Sequence, residues 1–530
     1  MLQPLEVLSS YPPHDGTLAG MLASRTAAVP DHPFIVYGER RWTYAEFGAT
    51  VGRAAALLQG RGVRAGERVG VVSANHPSTV IALFALARLG AIMVPVNPDY
   101  GVEETRYVLT HAGVSAILCA PEPLASTREA CRELSPAPWF MLNAPGEAGL
   151  AVFEREFACA GPAPETDAKP DSTCLFIYTS GTTGFPKGVM HSQRSVILAG
   201  EGFVERMLLQ PSDRLLAVLP LFHINAVFYS LSGTLAAGAT FILVPKFSAS
   251  TFWSTVAETG ATEVNAIAAI TSILVRRPRG EFVPEHALRK LYGAPLTPDV
   301  IEVFRNEFGV RHLIEGYGMS EIPGVLNNPY GGPHKPGSMG RPSRHPDPQV
   351  QLAQVRIADD DGNALPDGAT GEIEVKTPIV MQGYFRDPEQ TAVAFRDGWF
   401  RTGDLGWRDA DGYYWFVARR KDIIRKRGEN ISGAELDRIL GLHPDVLEAA
   451  AIAVPAELGE DEILAAVVRR SGTAVSAEDI AEWCRSRLAP IKVPRYVVFV
   501  ESLPHTPTHR VAKFKLKADA TLLARATDLG

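Results

Sequence analysis

The stretch "RVGVVSANHPSTVIALFALARLGAIMVPVN", residues 68 to 97, constrains the fold more than any other feature of the chain. An apolar run at Val69–Ser73, a helical run from about Ser78 to Leu89 closed by Gly90, and a second apolar run at Ala91–Val96 make a strand–helix–strand unit. A strand with no polar alternation needs cover on both faces, which is the condition of a parallel sheet. The plan returns in "RLLAVLPLFHINAVFYSLSGTLAAGATFILVP", with strands at Leu215–Leu219 and Thr240–Val244 around a helix that ends before Gly238. Two such units predict an α/β fold with pseudo-repeated sheets.

After about residue 340 the texture changes. "VQLAQVRIADDDGNALPDGATGEIEVKTPIVMQGYF" alternates short β-rich runs with Asp-Gly turns, which predicts a small antiparallel subdomain. From "VARRKDIIRKRGENIS" onward, the helix-like "SGAELDRILGLH" and "AEDIAEWCRSRL" flank the apolar run "VLEAAAIAVP", the pattern of a compact α/β domain. The expected organisation is an N-terminal domain over residues 1–420, with its β-rich subdomain at about 340–420, and a small C-terminal domain over 421–530. A chain of 530 residues is long enough for both.

A net charge of -7 gives no support to a nucleic-acid or anionic-membrane surface, so small-molecule chemistry is the better starting point. Cys119, Cys131, Cys159, Cys174 and Cys484 contain no CxxC pair, which suggests neither a zinc site nor a disulfide framework. The N-terminus lacks a basic start followed by an apolar core, and no apolar run approaches membrane-spanning length. Soluble and cytoplasmic, without membrane insertion, is the expectation.

The chemistry begins in "YTSGTTGFPKGVMHS", residues 178 to 192. Strand "CLFIYTS" runs into a loop of glycines and hydroxyls that ends on Lys187, and "VMHSQRSVILAGEGFVE" is expected to continue as a helix. Backbone N–H groups, hydroxyls and one ammonium suit phosphate oxygens. The order is not that of a Walker A loop, since Lys187 follows Pro186 and precedes Gly188. Standing alone, the segment reads more readily as a flexible turn at a strand end than as a phosphate loop.

It does not stand alone. "YTSGTTGFPKGVMHS", "LPLFHINA", "YGAPL", "IEGYGMSE", "GEIEVKTPIVMQGYF", "GWFRTGDLG" and "RRKDIIRKRGENISGAELD" follow in order along the chain. Together they resemble the adenylate-forming superfamily of acyl-CoA synthetases, luciferases and peptide-synthetase adenylation domains, over residues 40 to 516. Among relatives the chain is most similar to bacterial fatty-acid and carnitine-type acyl-CoA ligases. The resemblance implies a large N-terminal domain and a mobile C-terminal one turning about Lys421. It also implies attack of a carboxylate on the α-phosphate of ATP, release of pyrophosphate, and displacement of AMP by the thiol of CoA. Binding and charge neutralisation carry most of such a step.

The resemblance places Thr179, Ser180, Gly181, Thr182, Thr183, Gly184 and Lys187 around the β- and γ-phosphates. Gly293, Ala294 and Pro295, with Glu315, Gly316, Tyr317, Gly318, Met319 and Ser320, form the rest of the nucleotide site, Tyr317 stacking on adenine and Ser320 meeting the α-phosphate. Glu321 takes magnesium. Asp404 accepts the ribose hydroxyls, a role for an ionised carboxylate, and Arg419 donates to the same ribose. Lys421 and Gly428 complete the set, while the basic run Arg420, Lys421, Arg425, Lys426, Arg427 reads either as a solvated face or as an attractor for CoA phosphates. A lone histidine beside apolar residues is usually a core residue; the resemblance instead sets His223 at the border of the acyl pocket, lined further by Phe228, Asn265, Ala266, Gly293, Gly316 and Met319. Small side chains there would leave room for a chain or a ring.

The C-terminus departs from the pattern. Relatives carry Thr/Ser-Gly-Lys-Ile/Val-x-Lys, whereas this chain has Thr508, His509, Arg510, Val511, Ala512 and Lys513. Arginine keeps the charge but replaces a compact ammonium with a planar fork. Three readings stay open: Arg510 is the catalytic cation, Lys513 has taken over, or adenylation is impaired or specialised. The leading expectation is an ATP-dependent acid:CoA ligase using magnesium, with a homodimer compatible. The rivals are an enzyme that passes the adenylate to a carrier-protein thiol, an amine or a small nucleophile such as nitrite, and a non-catalytic nucleotide-binding regulator.

Overall fold

The computed structural model describes residues 1–166, 168–179, 186–426, 429–455, 461–505 and 511–530. These form two compact units, one built from Met1–Thr179, Pro186–Val355 and Val375–Phe400, the other from Arg356–Glu374 and Arg401–Gly530. Both units mix helices and strands, the α/β class expected from the apolar runs. Among the described residues, no helix is long and apolar enough to cross a membrane.

The first unit holds two sheets. In one, strands Pro33–Tyr37, Thr240–Leu243, Arg214–Ala217, Glu263–Ile267, Lys290–Ala294 and His312–Met319 run parallel in that spatial order. In the other, Thr173–Thr179, Ile92–Val96, Arg68–Val72, Ala116–Cys119 and Trp139–Leu142 are likewise parallel neighbours. The first expected crossover is present as strand Arg68–Val72, helix Pro77–Arg88 and strand Ile92–Val96, the helix stopping beside Gly90 at φ +66°. In the second, the connection between Arg214–Ala217 and Thr240–Leu243 is a π-helical turn, Asn225–Leu231, that passes into the α-helix Ser232–Ala237 and ends on Gly238 at φ +65°. Both glycines adopt a backbone that other residues reach only with strain.

One local expectation fails. "KGVMHS" is a strand, Lys187–Ser192, which pairs antiparallel with Thr173–Thr179, and the helix begins only at Gln193 and runs to Met207. Ser192 marks the change, its side chain accepting from the Ser195 N–H at 3.2 Å as an N-cap, worth about 1 kcal/mol. Val189, with its Cβ branch, sits fully buried in the ladder, where β-branched side chains pack well.

In the second unit, Asp404–Arg408 pairs antiparallel with Tyr414–Arg419. Helix Gly433–Gly441, strand Val446–Pro455 and helix Ala477–Arg485 fall where the sequence suggests. Their core is aliphatic, with Leu436, Ile463, Ala465, Val467 and Ile480 all fully buried.

Candidate active site

Thr179 and Lys187 face each other as the closing pair of the hairpin, at the carboxyl end of a parallel strand. That edge is where open α/β sheets receive ligands. Ser180, Gly181, Thr182, Thr183 and Gly184 lie outside the described residues. Lys187 Nζ donates to Gln390 Oε1 at 2.9 Å and stands 4.7 Å from the centre of the Tyr384 ring. The Tyr384 hydroxyl donates in turn to Glu321 Oε1 at 2.9 Å. Burial, and then the charge of Glu321, push the Tyr384 phenol well above its usual range, so it stays a donor at neutral pH.

The local reasons for this arrangement are visible. Strand Gly383–Tyr384 pairs with Met190 and Val189, so the tyrosine is carried by the same ladder as the lysine. Tyr384 N–H donates to Thr391 Oγ1 at 2.9 Å, and Asp387 caps the short helix Pro388–Val393 by accepting from the Gln390 N–H at 3.0 Å. Met381 N–H donates to the Glu321 carbonyl at 2.8 Å. Sequence reasoning assigned no role to Tyr384 or Gln390, although "MQGYF" carries the first and "DPEQ" is a legible N-terminal cap.

His191 is also missed. It is fully buried, its Nε2 donates to the Ser320 carbonyl at 2.7 Å, and its ring packs 4.7 Å from that of Phe228. Burial holds its pKa down at about 4, so the imidazole is neutral and its proton stays on Nε2. Ser320 and Glu321 are thereby tied to the strand pair Thr173–Thr179 and Lys187–Ser192 through backbone and side chain alike. Phe228, expected in the pocket lining, is instead entirely buried and backs His191.

Glu315 is nearly inaccessible and works inside the protein: Oε2 meets His334 Nε2 at 3.1 Å and accepts from the Gly337 N–H at 3.3 Å, while Oε1 accepts from the Leu296 N–H at 3.2 Å. It thus anchors the Gly293, Ala294, Pro295 segment, which ends strand Lys290–Ala294. Tyr317 and Met319 are half-buried and Gly318 is exposed. Gly316 and Gly318 each have a protein atom where a side chain would begin. A Cβ on Gly316 would stand 2.3 Å from the Tyr292 hydroxyl, and one on Gly318 would stand 2.4 Å from Gly324 N. Their missing side chains admit the protein's own atoms. His223 is half-buried, its ring 4.8 Å from that of Phe222.

In the second unit, Asp404 is 3% exposed, and its Oδ1 lies 3.2 Å from Arg419 Nε across the strand pair that joins them. The backbone of Lys421 lies in the single turn Arg420–Asp422. Arg420 pairs with Asp360 at 2.7 Å. Lys513 begins the helix Lys513–Ala518, and its ammonium sits 2.6 Å from Asp437 Oδ2. Burial raises the Asp437 carboxyl, while Lys513 and the Ala451 N–H pull it back. Gly428 and Arg510 lie outside the described residues.

Residues 22–385 match the AMP-binding enzyme family and residues 435–510 match the AMP-binding enzyme C-terminal domain. The chain belongs to the AMP-binding enzymes. It is similar to the sulfoacetate–CoA ligase of Cupriavidus necator, at 34% identity over 94% of this chain and 97% of that one. It is also similar to the oxalate–CoA ligase of Arabidopsis thaliana, at 33% identity over 94% and 97%. The ATP-bound structure of MatB from Rhodopseudomonas palustris superposes with a TM-score of 0.84 at 29% identity, covering 94% of this chain and 98% of that one.

Proposed function

We propose that the chain is an AMP-forming acid:CoA ligase: it activates a carboxylic acid with ATP as the acyl-adenylate, releases pyrophosphate, and transfers the acyl group to CoA. The observation that carries the reading is the Thr179–Lys187 hairpin mouth joined to Glu321 through Tyr384, in a chain similar over nearly its whole length to CoA ligases. Lys187 and the loop it closes take the phosphates, Asp404 and Arg419 take the ribose, and Arg510 supplies the cation at the reacting oxygens. The ion pair between Lys513 and Asp437 supports Arg510 over Lys513, because Lys513 would have to leave its carboxylate partner to act. The small C-terminal body, 421–530, turns about Lys421 between the two half-reactions. The location is cytoplasmic.

The donor set fits magnesium. The cation prefers one or two carboxylates together with substrate phosphates and water over an all-protein cage. Glu321 offers a half-buried carboxylate oriented by Tyr384, and among the described residues no cluster of three or more His, Cys, Asp or Glu could form such a cage. Magnesium bound there would neutralise phosphate charge.

The test is AMP and pyrophosphate formation over a panel of acids, each with and without CoA. Acid-dependent pyrophosphate, with a thioester product only when CoA is present, is expected. Pyrophosphate release that ignores the acid rejects the ligase reading, and release followed by transfer to an amine or a carrier thiol rejects CoA as the acceptor.

A further inference from the structure

Asn225, Ser230 and Asn265 form a polar trio inside an apolar region of the first unit. Asn265 is 1% exposed; its Nδ2 donates to Asn225 Oδ1 at 2.9 Å and to Ser230 Oγ at 2.9 Å, while its Oδ1 reaches no partner among the described residues. Around the trio, Ala226, Val227, Phe228, Tyr229, Ala266 and Tyr292 are all buried. A buried polar atom left unpaired is costly, whereas apolar residues of similar shape carry no such cost. Asn225 and Ser230 also belong to the π-helical turn Asn225–Leu231, a geometry that collects at functional sites.

The position gives the trio a use. Strands Arg214–Ala217, Glu263–Ile267 and Lys290–Ala294 are parallel, and the chain leaving the first of them passes His223 before reaching Asn225. Asn225 is half-buried beneath that carboxyl edge, the usual place for a ligand in an open α/β sheet. The two ends of a carboxamide exchange by a half-turn, so a complementary group has to donate and accept alike. A hydroxyl does both. A carboxylate or sulfonate only accepts, an ammonium only donates, and the trio itself carries no charge. We infer that Asn225, Ser230 and Asn265 are a specificity subsite for a hydroxyl on the acyl group, so that the acid is a hydroxy acid. This rests on the acid-activating reading proposed above.

The experiment uses the full chain and matched acids that differ by one hydroxyl: 3-hydroxypropanoate and propanoate, 3-hydroxyoctanoate and octanoate, 4-hydroxybenzoate and benzoate. Pyrophosphate release should favour the hydroxylated member of at least one pair by about a hundredfold in kcat/KM, the factor that goes with leaving one buried polar group without its partner. Asn265→Leu should reduce that ratio below about tenfold; Ser230→Ala, a smaller change, should reduce it in the same direction and serves if the leucine variant does not fold. Equal use of both members in every pair, or a preference untouched by these substitutions, overturns the subsite while leaving acid activation standing. No acid-dependent pyrophosphate from any pair overturns both readings.

Discussion

The hydroxyl of Tyr384 donates to Glu321 Oε1 at 2.9 Å while the ammonium of Lys187 stands 4.7 Å from the centre of the same ring. One side chain therefore holds the anionic and cationic members of the expected phosphate site. Tyr384→Phe separates the two effects, because the ring under Lys187 remains and the bond to Glu321 is lost. The magnesium concentration for half-maximal activity should rise by about tenfold, the size of effect seen when a residue orienting a metal ligand is removed. Tyr384→Leu should weaken ATP use in addition. A magnesium titration identical to wild type for Tyr384→Phe would show that the hydroxyl does not orient Glu321.

Lys187 closes a hairpin mouth and is not part of a packed core. Lys187→Ala should leave the thermal melt close to wild type and cost about a hundredfold or more in kcat/KM for ATP, as for loss of one preorganised charge at a transferring phosphoryl group. Steady-state kinetics beside a melting curve check it. Unchanged ATP kinetics in the folded variant would remove the lysine from the phosphate site.

The two cations of the C-terminal unit are separable. Arg510→Ala should abolish most acid-dependent pyrophosphate release, whereas Lys513→Ala should chiefly destabilise that unit by removing the cationic partner of Asp437, whose Oδ1 still accepts from the Ala451 N–H. Pyrophosphate release and a melting curve on both variants give the answer. A folded Lys513→Ala protein without adenylation would reverse the assignment.

Glu201 supplies a pH-dependent prediction away from the site. It is buried, with Oε1 3.2 Å from His14 Nε2 and Oε2 3.1 Å from His345 Nε2. Burial alone would raise the carboxyl, but the two imidazole donors overcome it and hold the pKa at about 2, against an ordinary 4.5. A depressed carboxyl stabilises the fold above its unfolded pKa and loses that contribution as pH falls through the folded one. The contribution is about 3 kcal/mol at neutral pH. Glu201→Gln should lower the urea midpoint at pH 7, with the gap to wild type closing between pH 4.5 and 2. A gap of constant size across that range would exclude the linkage.

Much of the fold was legible because its cause is local. The run Val69–Ser73 with Gly90 after the helix, and Leu215–Leu219 with Gly238, carry strand burial and helix termination in consecutive residues. "KGVMHS" was misread because its strand character comes from pairing with Thr173–Thr179, a ladder that no single segment contains. Asp404 and Arg419 meet because two adjacent antiparallel strands bring the residues opposite each other.

By itself the sequence determined the parallel-sheet architecture and the order of the motifs along it, since apolar periodicity and local turn chemistry act over a few residues. Only the tertiary structure decided which groups meet. Gln390 reaches Lys187 across 203 residues and Tyr384 reaches Glu321 across 63. Tyr292 fills the space above Gly316, and Asn265 comes to rest with an oxygen that finds no partner among the described residues. Such meetings depend on which strands become neighbours and which side chains fill the gaps between them, and that is a property of the packed whole.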